Sequence, residues 1–348
     1  MEKILEKDFE EILSSNILFN KFSNKTFLVS GATGLIGSLF IKFLLYINKT
    51  QKLNIKVIGL VRNLAKAEKI FKEYQGNSDL EFIVHDLGTG KIDLNHIDYI
   101  LHGASITQSK IMITSPVETI EISVEGTREM LNLAVKNNVD AMVYLSSMEI
   151  YGQLNQDGKI TEDNLGSLNL SDIRSGYPES KRLCEVLCKE YSKEYGLNVM
   201  SARLAQTFGA GVLSSDNRVF AQFAKSVIKN QDIVLHTNGK SEGNYIYTTD
   251  VIKALLVMML YGKSGESYNV SNEENHMTIY EMAQLVINNF SNGKSQLVID
   301  IPKENMGYAP NVKLWLSNQK LKNLVGGVWQ PTVNLVEMYR RLIEYYLN

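Results

Sequence analysis

The sequence predicts an α/β fold: a doubly wound parallel sheet followed by a smaller C-terminal lobe. Three observations carry this expectation. Short apolar runs alternate with helical segments as far as residue 205, the pattern of a sheet covered on both faces by crossover helices. The first strand-like run passes through Gly31-Ala32-Thr33-Gly34-Leu35-Ile36-Gly37 directly into an apolar helix. Beyond residue 205 the alternation breaks into loops and separate helices.

Taken in order, residues 1–22 place Ile4, Leu5, Phe9, Ile12 and Leu13 at helical spacing. They read as an amphipathic arm that packs on the fold or contacts another copy. Strands are expected at 25–30, 55–61, 81–85, 98–105, 141–147 and 198–205, each a short apolar run bounded by turn residues. A long helix begins near Pro116, and another carries residues 177–195. Residues 23–205 therefore form the sheet domain, and residues 206–348 form mainly a second lobe interleaved with the sheet. In that lobe 207–218 reads as a loop, 219–229 and 251–260 as helices, and 235–250 as loop and strand. With 5 prolines and no repeats, the chain offers no obvious hinge.

Bulk properties exclude several function classes. A formal net charge of -2 gives no electrostatic case for nucleic acid or an anionic membrane surface. No apolar run reaches about 18 residues, so no membrane span is expected. The first 20 residues alternate acidic and apolar positions without a basic segment, unlike a secretory leader. Cys184 and Cys188 lie one helical turn apart, a poor disulfide geometry, and no further cysteine completes a zinc set. They read as packing cysteines of a protein in the reducing cytoplasm.

Glycines at 31, 34 and 37, between a strand and a helix, allow a tight turn. They let backbone N–H groups meet a pyrophosphate at the helix N-terminus. This is a Rossmann-type dinucleotide site, with Thr33, Leu35 and Ile36 on the same turn. The second strand ends in Leu60-Val61-Arg62-Asn63, with no acid to accept from a ribose 2′-hydroxyl. Arg62 suits a 2′-phosphate and favours NADP over NAD; the alternative is a solvated arginine with NAD held by other groups. Asp86 and Leu87 follow the third strand, where an adenine would lie, although Asp86 reads equally as a loop cap. His102, Gly103, Ala104 and Ser105 follow the fourth strand and are expected along the pyrophosphate and ribose.

The chemistry-bearing pair is Tyr177 and Lys181, four residues apart on one helix face. An ammonium beside a phenol favours the phenolate, so Lys181 is expected to lower the Tyr177 pKa and make it a proton carrier near neutral pH.

GATGLIG (31–37), HDL (85–87), HGAS (102–105), SVEGT (123–127), SSMEIYG (146–152), YPESK (177–181), RLAQTFGAGV (203–212) and YNVSNEE (268–274) occur in this order along almost the whole chain. Together they resemble the extended short-chain dehydrogenase/reductases of the NAD-dependent epimerase/dehydratase family, most of which modify nucleotide sugars. The resemblance implies Ser147 as the catalytic hydroxyl, Tyr177 as acid/base, and Lys181 as a ligand of the nicotinamide ribose. It also implies a homodimer joined through helices 117–137 and 177–195; Met130, Leu133, Leu183 and Leu187 suit such a four-helix contact, and core burial explains them equally well.

Several departures bear on the reaction. Where dehydratases of the family carry an aspartate after the catalytic hydroxyl, this chain has Met148, which cannot protonate a leaving group. Glu149 is left to abstract a proton beside a 4-keto group, to orient substrate, or to serve structurally. Gln206 stands for the family's asparagine and Ala210 for its proline. Arg218 either faces the nucleotide or opens a helix with a salt bridge. Gly243 falls where relatives often carry an arginine on the substrate diphosphate, with Lys240 nearby. Tyr245 matches a substrate-lobe position.

The expected activity is therefore NAD(P)-dependent oxidation of a nucleotide-diphosphate sugar at C4, followed by epimerisation, dehydration or decarboxylation. An NADPH-dependent 4-keto-sugar reductase is the alternative. A cofactor-binding regulator without catalysis is a third reading, disfavoured because Ser147, Tyr177 and Lys181 are all present.

Overall fold

A computed structural model describes residues 3–90, 92–154, 157–302 and 312–348; the first two residues of the expected N-terminal arm lie outside them. The chain opens with α1 (Lys3–Leu13), then β1 (Thr26–Ser30), α2 (Leu35–Gln51), β2 (Lys56–Val61), α3 (Leu64–Ile70), β3 (Leu80–Val84) and β4 (Tyr99–His102). It continues with α4 (Ser109–Thr114), α5 (Pro116–Asn137), β5 (Ala141–Ser147), β6 (Lys159–Ile160), α6 (Gly176–Tyr195) and β7 (Val199–Leu204). Next come β8 (Gln206–Phe208), α7 (Val219–Ile228), β9 (Ile233–Leu235), β10 (Glu242–Tyr247), α8 (Thr248–Tyr261) and β11 (Ser267–Val270). The last elements are β12 (His276–Thr278), α9 (Ile279–Phe290), β13 (Leu297–Ile299), β14 (Trp315–Leu316), α10 (Gln319–Lys322) and α11 (Leu335–Leu347).

Seven strands form one parallel sheet in the order β11-β7-β5-β4-β1-β2-β3. Strand order reverses between β1 and β4, and that switch point opens a crevice at the C-terminal strand ends. The central strands are apolar throughout because helices cover both faces: Phe27, Leu28, Val29, Ile100, Leu101, Met142 and Val143 are all fully buried. Local signals set the helix ends. Pro116 opens α5 at a position needing no N–H, and Asn138 closes it in the left-handed region. Thr278 and Glu281 form a reciprocal capping box on α9.

The seventh strand, β11, was not expected as a strand. Its sequence, Ser267-Tyr268-Asn269-Val270, alternates polar and apolar residues and buries Asn269 completely. The asparagine amide donates to the carbonyls of Ile160 and Ser317, at 3.3 and 3.0 Å. Its carbonyl accepts from Tyr151 Oη at 2.5 Å. A buried amide with these partners costs little, but the partners lie far away in sequence. A second sheet, β12-β10-β8, sits beyond the main one.

Of the two readings of the apolar residues on α5 and α6, core burial holds for Met130 and Leu133. Met130 and Leu133 are 0% and 3% exposed and pack into the core between sheet and helices. They share the inward stripe of α5. Leu187 is half-buried. The residues that face out are Val117 and Ile120 on α5 with Leu183 and Val186 on α6. Among the described residues no helix is long and apolar enough to cross a membrane.

α1 is a packing element: Ile4, Leu5, Phe9 and Ile12 enter the core against α2 and α8. Asp8, 1% exposed, accepts from Tyr247 Oη and from Arg341 Nη1, both at 2.6 Å. Arg341 also reaches Glu11 at 2.7 and 2.8 Å and Glu337 at 2.6 Å. Tyr247 Oη in turn accepts from Ala210 N at 3.3 Å. First helix, last helix, β10 and the loop after β8 are thus tied at one point. Arg341→Leu strands the Asp8 carboxylate in the interior and is expected to lower stability by about 3–5 kcal/mol. Urea unfolding measures it; a change below about 1 kcal/mol would mean that the tie carries no stability.

Candidate active site

The glycine turn forms a cradle built from backbone. Gly31 has φ +72°, and a Cβ there would lie 2.8 Å from Ala104 N and from the Gly103 carbonyl carbon. A Cβ on Gly37 would lie 2.4 Å from Gly31 O. No other residue type fits either place. Gly34 is exposed at the N-cap of α2 and brings no side-chain cap, so the first N–H groups of this 17-residue helix face outward. Thr33, Leu35 and Ile36 are half-buried on the same turn. A close-packed turn feeding an uncapped helix end fits a dinucleotide pyrophosphate.

His102 does not line the crevice as expected: it is 1% exposed and its ring turns inward. Thr127 Oγ1 donates to Ser123 O at 2.6 Å, so it must accept from His102 Nε2 at 3.1 Å. The other ring nitrogen, Nδ1, then accepts from Ser30 Oγ at 2.6 Å. Ser30 Oγ in turn accepts the N–H groups of Gly103 and Ala104, at 3.2 and 3.3 Å. Burial, reinforced by the Lys181 charge, pulls His102 down to about 3, so the ring stays neutral. His102 therefore holds the Gly103–Ala104 backbone against the glycine turn. Ala104 and Ser105 stay half-buried beside it.

At the other end of the cradle, Arg62 is exposed after β2, and Asn63 caps α3 by accepting Lys66 N at 2.9 Å. Asp86 does not cap its loop with its side chain. Its carbonyl oxygen closes the turn, accepting from Thr89, while its carboxylate is exposed. Leu87 is buried beneath α5, where a Cβ on Gly126 would touch it at 3.1 Å.

The reactive groups gather where β5 ends and α6 begins. Ser147 Oγ accepts Glu149 N at 3.2 Å, capping a one-turn helix over Met148–Tyr151, and it stands beside the Tyr177 phenol, whose pKa it pulls down. Tyr177 occupies the first turn of α6 and is 6% exposed. Lys181 follows one turn later, 3% exposed, with Nζ donating to Leu145 O at 2.8 Å. That ammonium lies 4.7 Å from the centre of the Tyr144 ring and 5.8 Å from that of Tyr177.

The expected effect of Lys181 on Tyr177 is overturned. Burial, and then the neighbouring Glu149 charge, push the Tyr177 phenol well above its ordinary value, and only the Ser147 hydroxyl opposes them. The ammonium is engaged with Leu145 O and lies over the ring face instead of at the phenol oxygen. Lys181 itself is pulled down to about 8 by burial. Glu149 is open to solvent in the crevice, yet the protein crowded around it raises its carboxyl, against the pull of Arg174 and then Lys181. Arg174, three residues before Tyr177, is a cation of this cluster that the sequence reading missed. Its signal was its place next to the tyrosine.

The substrate-lobe candidates meet on the second sheet. Gln206 of β8 pairs in register with Tyr245 of β10. Tyr245 is 6% exposed and raised to about 12 by burial. Met148 packs partly into the main core. Arg218 is a helix-start salt bridge: its guanidinium pairs with Asp216 at 2.6 Å and stacks on Phe220. A Cβ on Gly243 would meet nothing within 4 Å, so open space lies where a longer side chain would project. Lys240 is exposed nearby in sequence. Among the described residues no group of three or more His, Cys, Asp or Glu side chains is placed to hold a metal.

The chain resembles known proteins along nearly its whole length. The chain is 27% identical to UDP-glucuronic acid decarboxylase 1 of Danio rerio over 99% of its own length and 78% of that protein. It superposes on the UDP-glucose 4-epimerase of Thermotoga maritima, solved with UDP-glucose, with a TM-score of 0.75 at 19% identity, covering 92% of this chain and 98% of that one. A dTDP-glucose 4,6-dehydratase from Streptomyces venezuelae, solved with NAD, matches with a TM-score of 0.75 at 21% identity, over 92% and 97% of the two chains. Residues 27–271 match the NAD dependent epimerase/dehydratase family, and the chain belongs to that family.

Proposed function

We propose that this protein is an NAD(P)-dependent enzyme that oxidises a nucleotide-diphosphate sugar at C4 and then acts at a neighbouring carbon or returns hydride from the other face. The observation that carries this reading is the gathering of Ser147, Tyr177 and Lys181 at the end of β5 and the first turns of α6, with the Lys181 ammonium 5.8 Å from the centre of the Tyr177 ring. The relatives supply the substrate class, since their names specify decarboxylation, epimerisation and dehydration of nucleotide sugars.

The residues divide the work by their chemistry. Tyr177 first gives up its own proton to solvent, and the resulting phenolate takes the proton of the sugar 4-hydroxyl as C4 becomes a carbonyl; Ser147 donates to the same oxygen. A bound nicotinamide dinucleotide supplies the hydride acceptor. Gly31, Gly34, Gly37, Ala104 and Ser105 form its cradle, and Asp86 and Leu87 its adenine end. Because Tyr177 rests protonated, its phenolate needs a partner charge. Lys181, still mostly cationic at neutral pH with a pKa near 8, stands over the ring to provide it. Glu149, its carboxyl raised, suits proton exchange beside the 4-keto group. Met148 removes the second acid of a two-acid dehydration, which favours decarboxylation or epimerisation. Gln206, half-buried, is the residue of this pair open to a substrate, while Tyr245 packs in the apolar core behind it.

Arg62, exposed at the end of β2, favours NADP and carries a second reading, a 4-keto-sugar reductase that consumes NADPH. Two copies would meet through Val117, Ile120, Leu183 and Val186. The free thiols of Cys184 and Cys188 fit a reducing cytoplasm.

UDP-, dTDP-, GDP- and CDP-sugars, each with NAD or NADPH, separate the readings. Product without net change in nicotinamide absorbance is expected, with loss of carbon dioxide, of water or of nothing naming the reaction. Steady NADPH consumption on a 4-keto sugar would instead make the protein a reductase. Tyr177→Phe is expected to lower turnover by about 10²–10⁴-fold while nucleotide-sugar binding persists; unchanged turnover would remove Tyr177 from the chemistry. Lys181 has a further signature. Its folded-state pKa lies below the unfolded one, so the unfolded chain binds more protons between about pH 8 and 10.5, and wild-type stability rises there. Lys181→Met is expected to be more stable than wild type below pH 8, by about 1–3 kcal/mol, with the gap closing as the pH approaches 10.5. Denaturant midpoints across that range test it, and a pH-independent gap would contradict it.

A further inference from the structure

Glu129 lies on α5, away from the reactive cluster, and its carboxylate is only 10% exposed. It accepts three donors from one loop. Oε1 takes His85 Nε2 at 2.7 Å and Ile92 N at 3.1 Å, and Oε2 takes Gly88 N at 2.9 Å. The same loop touches α5 twice more: a Cβ on Gly126 would sit 3.1 Å from Leu87 Cβ, and one on Gly88 3.1 Å from Glu125 Cβ. Positions 125, 126 and 129 share one helix face, so His85, Leu87, Gly88 and Ile92 are all held along a single stripe of α5. Within the clasp the Asp86 carbonyl is used by Thr89 N and Oγ1, at 3.3 and 2.6 Å, which leaves the Asp86 carboxylate exposed.

We propose that Glu129 is the positioning residue of the adenine end of the dinucleotide site, fixing the backbone that presents Asp86 and Leu87 to the cofactor. The proposal rests on the dinucleotide-enzyme reading above. A carboxylate suits the place because it only accepts hydrogen bonds and here meets three donors at once. Glutamine has nearly the same shape but turns an N–H₂ toward one of those donors, leaving the backbone N–H of either Gly88 or Ile92 facing another donor. α5 also carries Ser123 and Thr127, whose bonds run to His102 and the Gly103 turn. One helix therefore sets both ends of the cradle, and Glu129 sets the adenine end alone.

The test is calorimetric titration of wild type, Glu129→Gln and Glu129→Asp with NAD, NADP, ADP-ribose and nicotinamide mononucleotide, with a thermal midpoint for each protein. For Glu129→Gln, ADP-ribose and whichever dinucleotide binds wild type are expected to weaken in parallel by about tenfold, the equivalent of one lost buried hydrogen bond. Nicotinamide mononucleotide binding should stay within about twofold, because it does not reach the loop. Glu129→Asp keeps the charge and should recover part of the ADP-ribose affinity. Dinucleotide and ADP-ribose affinities that do not change in Glu129→Gln would overturn the proposal. So would a common loss for all ligands together with a lowered thermal midpoint, which marks general loosening. Should Glu129→Gln yield no folded protein, His85→Gln removes one bond of the three and should give the same selective loss at smaller amplitude. A wild-type protein that binds neither dinucleotide nor ADP-ribose would fail the dinucleotide-enzyme reading itself, a result separate from any difference between variants.

Discussion

The structure depends on one close approach of two backbone turns at the point where strand order reverses. Gly31 and the Gly103–Ala104 segment are so near that a single methyl group at position 31 would meet main-chain atoms at 2.8 Å. That approach is held from beneath by a relay of small polar groups. Ser30 donates to His102, and His102 to Thr127. Thr127 donates to the Ser123 carbonyl, which also accepts the Cys184 thiol at 3.2 Å. Cys184 lies one turn beyond Lys181 on α6. The geometry of the glycine turn is therefore communicated through α5 to the helix that carries Tyr177, by bonds made inside a region with no competing water.

The same dryness dictates the electrostatics. A phenol and an ammonium placed four residues apart in water would favour opposite charges. In the interior both are pushed toward neutrality, Tyr177 upward and Lys181 downward. The site at rest is thus an acid beside a weakly held cation, with Glu149 and Arg174 as the opposed charges at its mouth. Such a site is poised to respond when substrate and cofactor fill it, because every added charge acts in a low-dielectric space. Its cost in stability is offset elsewhere, by the apolar sheet and by buried pairs such as Arg203 with Glu185, which meet at 2.8 Å.

Much of this was legible in the sequence because it is local. Gly31, Gly34 and Gly37 declare a turn by spacing alone, and Tyr177 and Lys181 declare a shared helix face. Six sheet strands were readable as apolar runs. What failed was whatever depends on the surroundings. β11 escaped because its central Asn269 is paid for by partners about 50 and 110 residues away. Met130 and Leu133 are apolar on either reading, and only packing decides that they face the core while Val117 and Leu183 face out. The Tyr177 shift was misjudged because spacing fixes a distance but carries no information about desolvation. Glu129 was overlooked because its significance lies in what faces it and not in its neighbours along the chain, whereas Arg174 carried a local signal beside Tyr177 that went unread.

The tie between α1 and α11 has a consequence in time. Asp8 and Arg341 are 333 positions apart, and their contact also fixes Tyr247 and, through it, the backbone at Ala210 beside the substrate lobe. On a ribosome Asp8 emerges early and Arg341 only after more than three hundred further residues have been joined. Until then the carboxylate has no guanidinium to meet and stays hydrated, so α1 cannot settle into its final place. The sheet, whose strands pair with near neighbours, can assemble during that wait. The backbone at Ala210 gains this fixed point only once α11 has been made, later than the pairings of the main sheet can form.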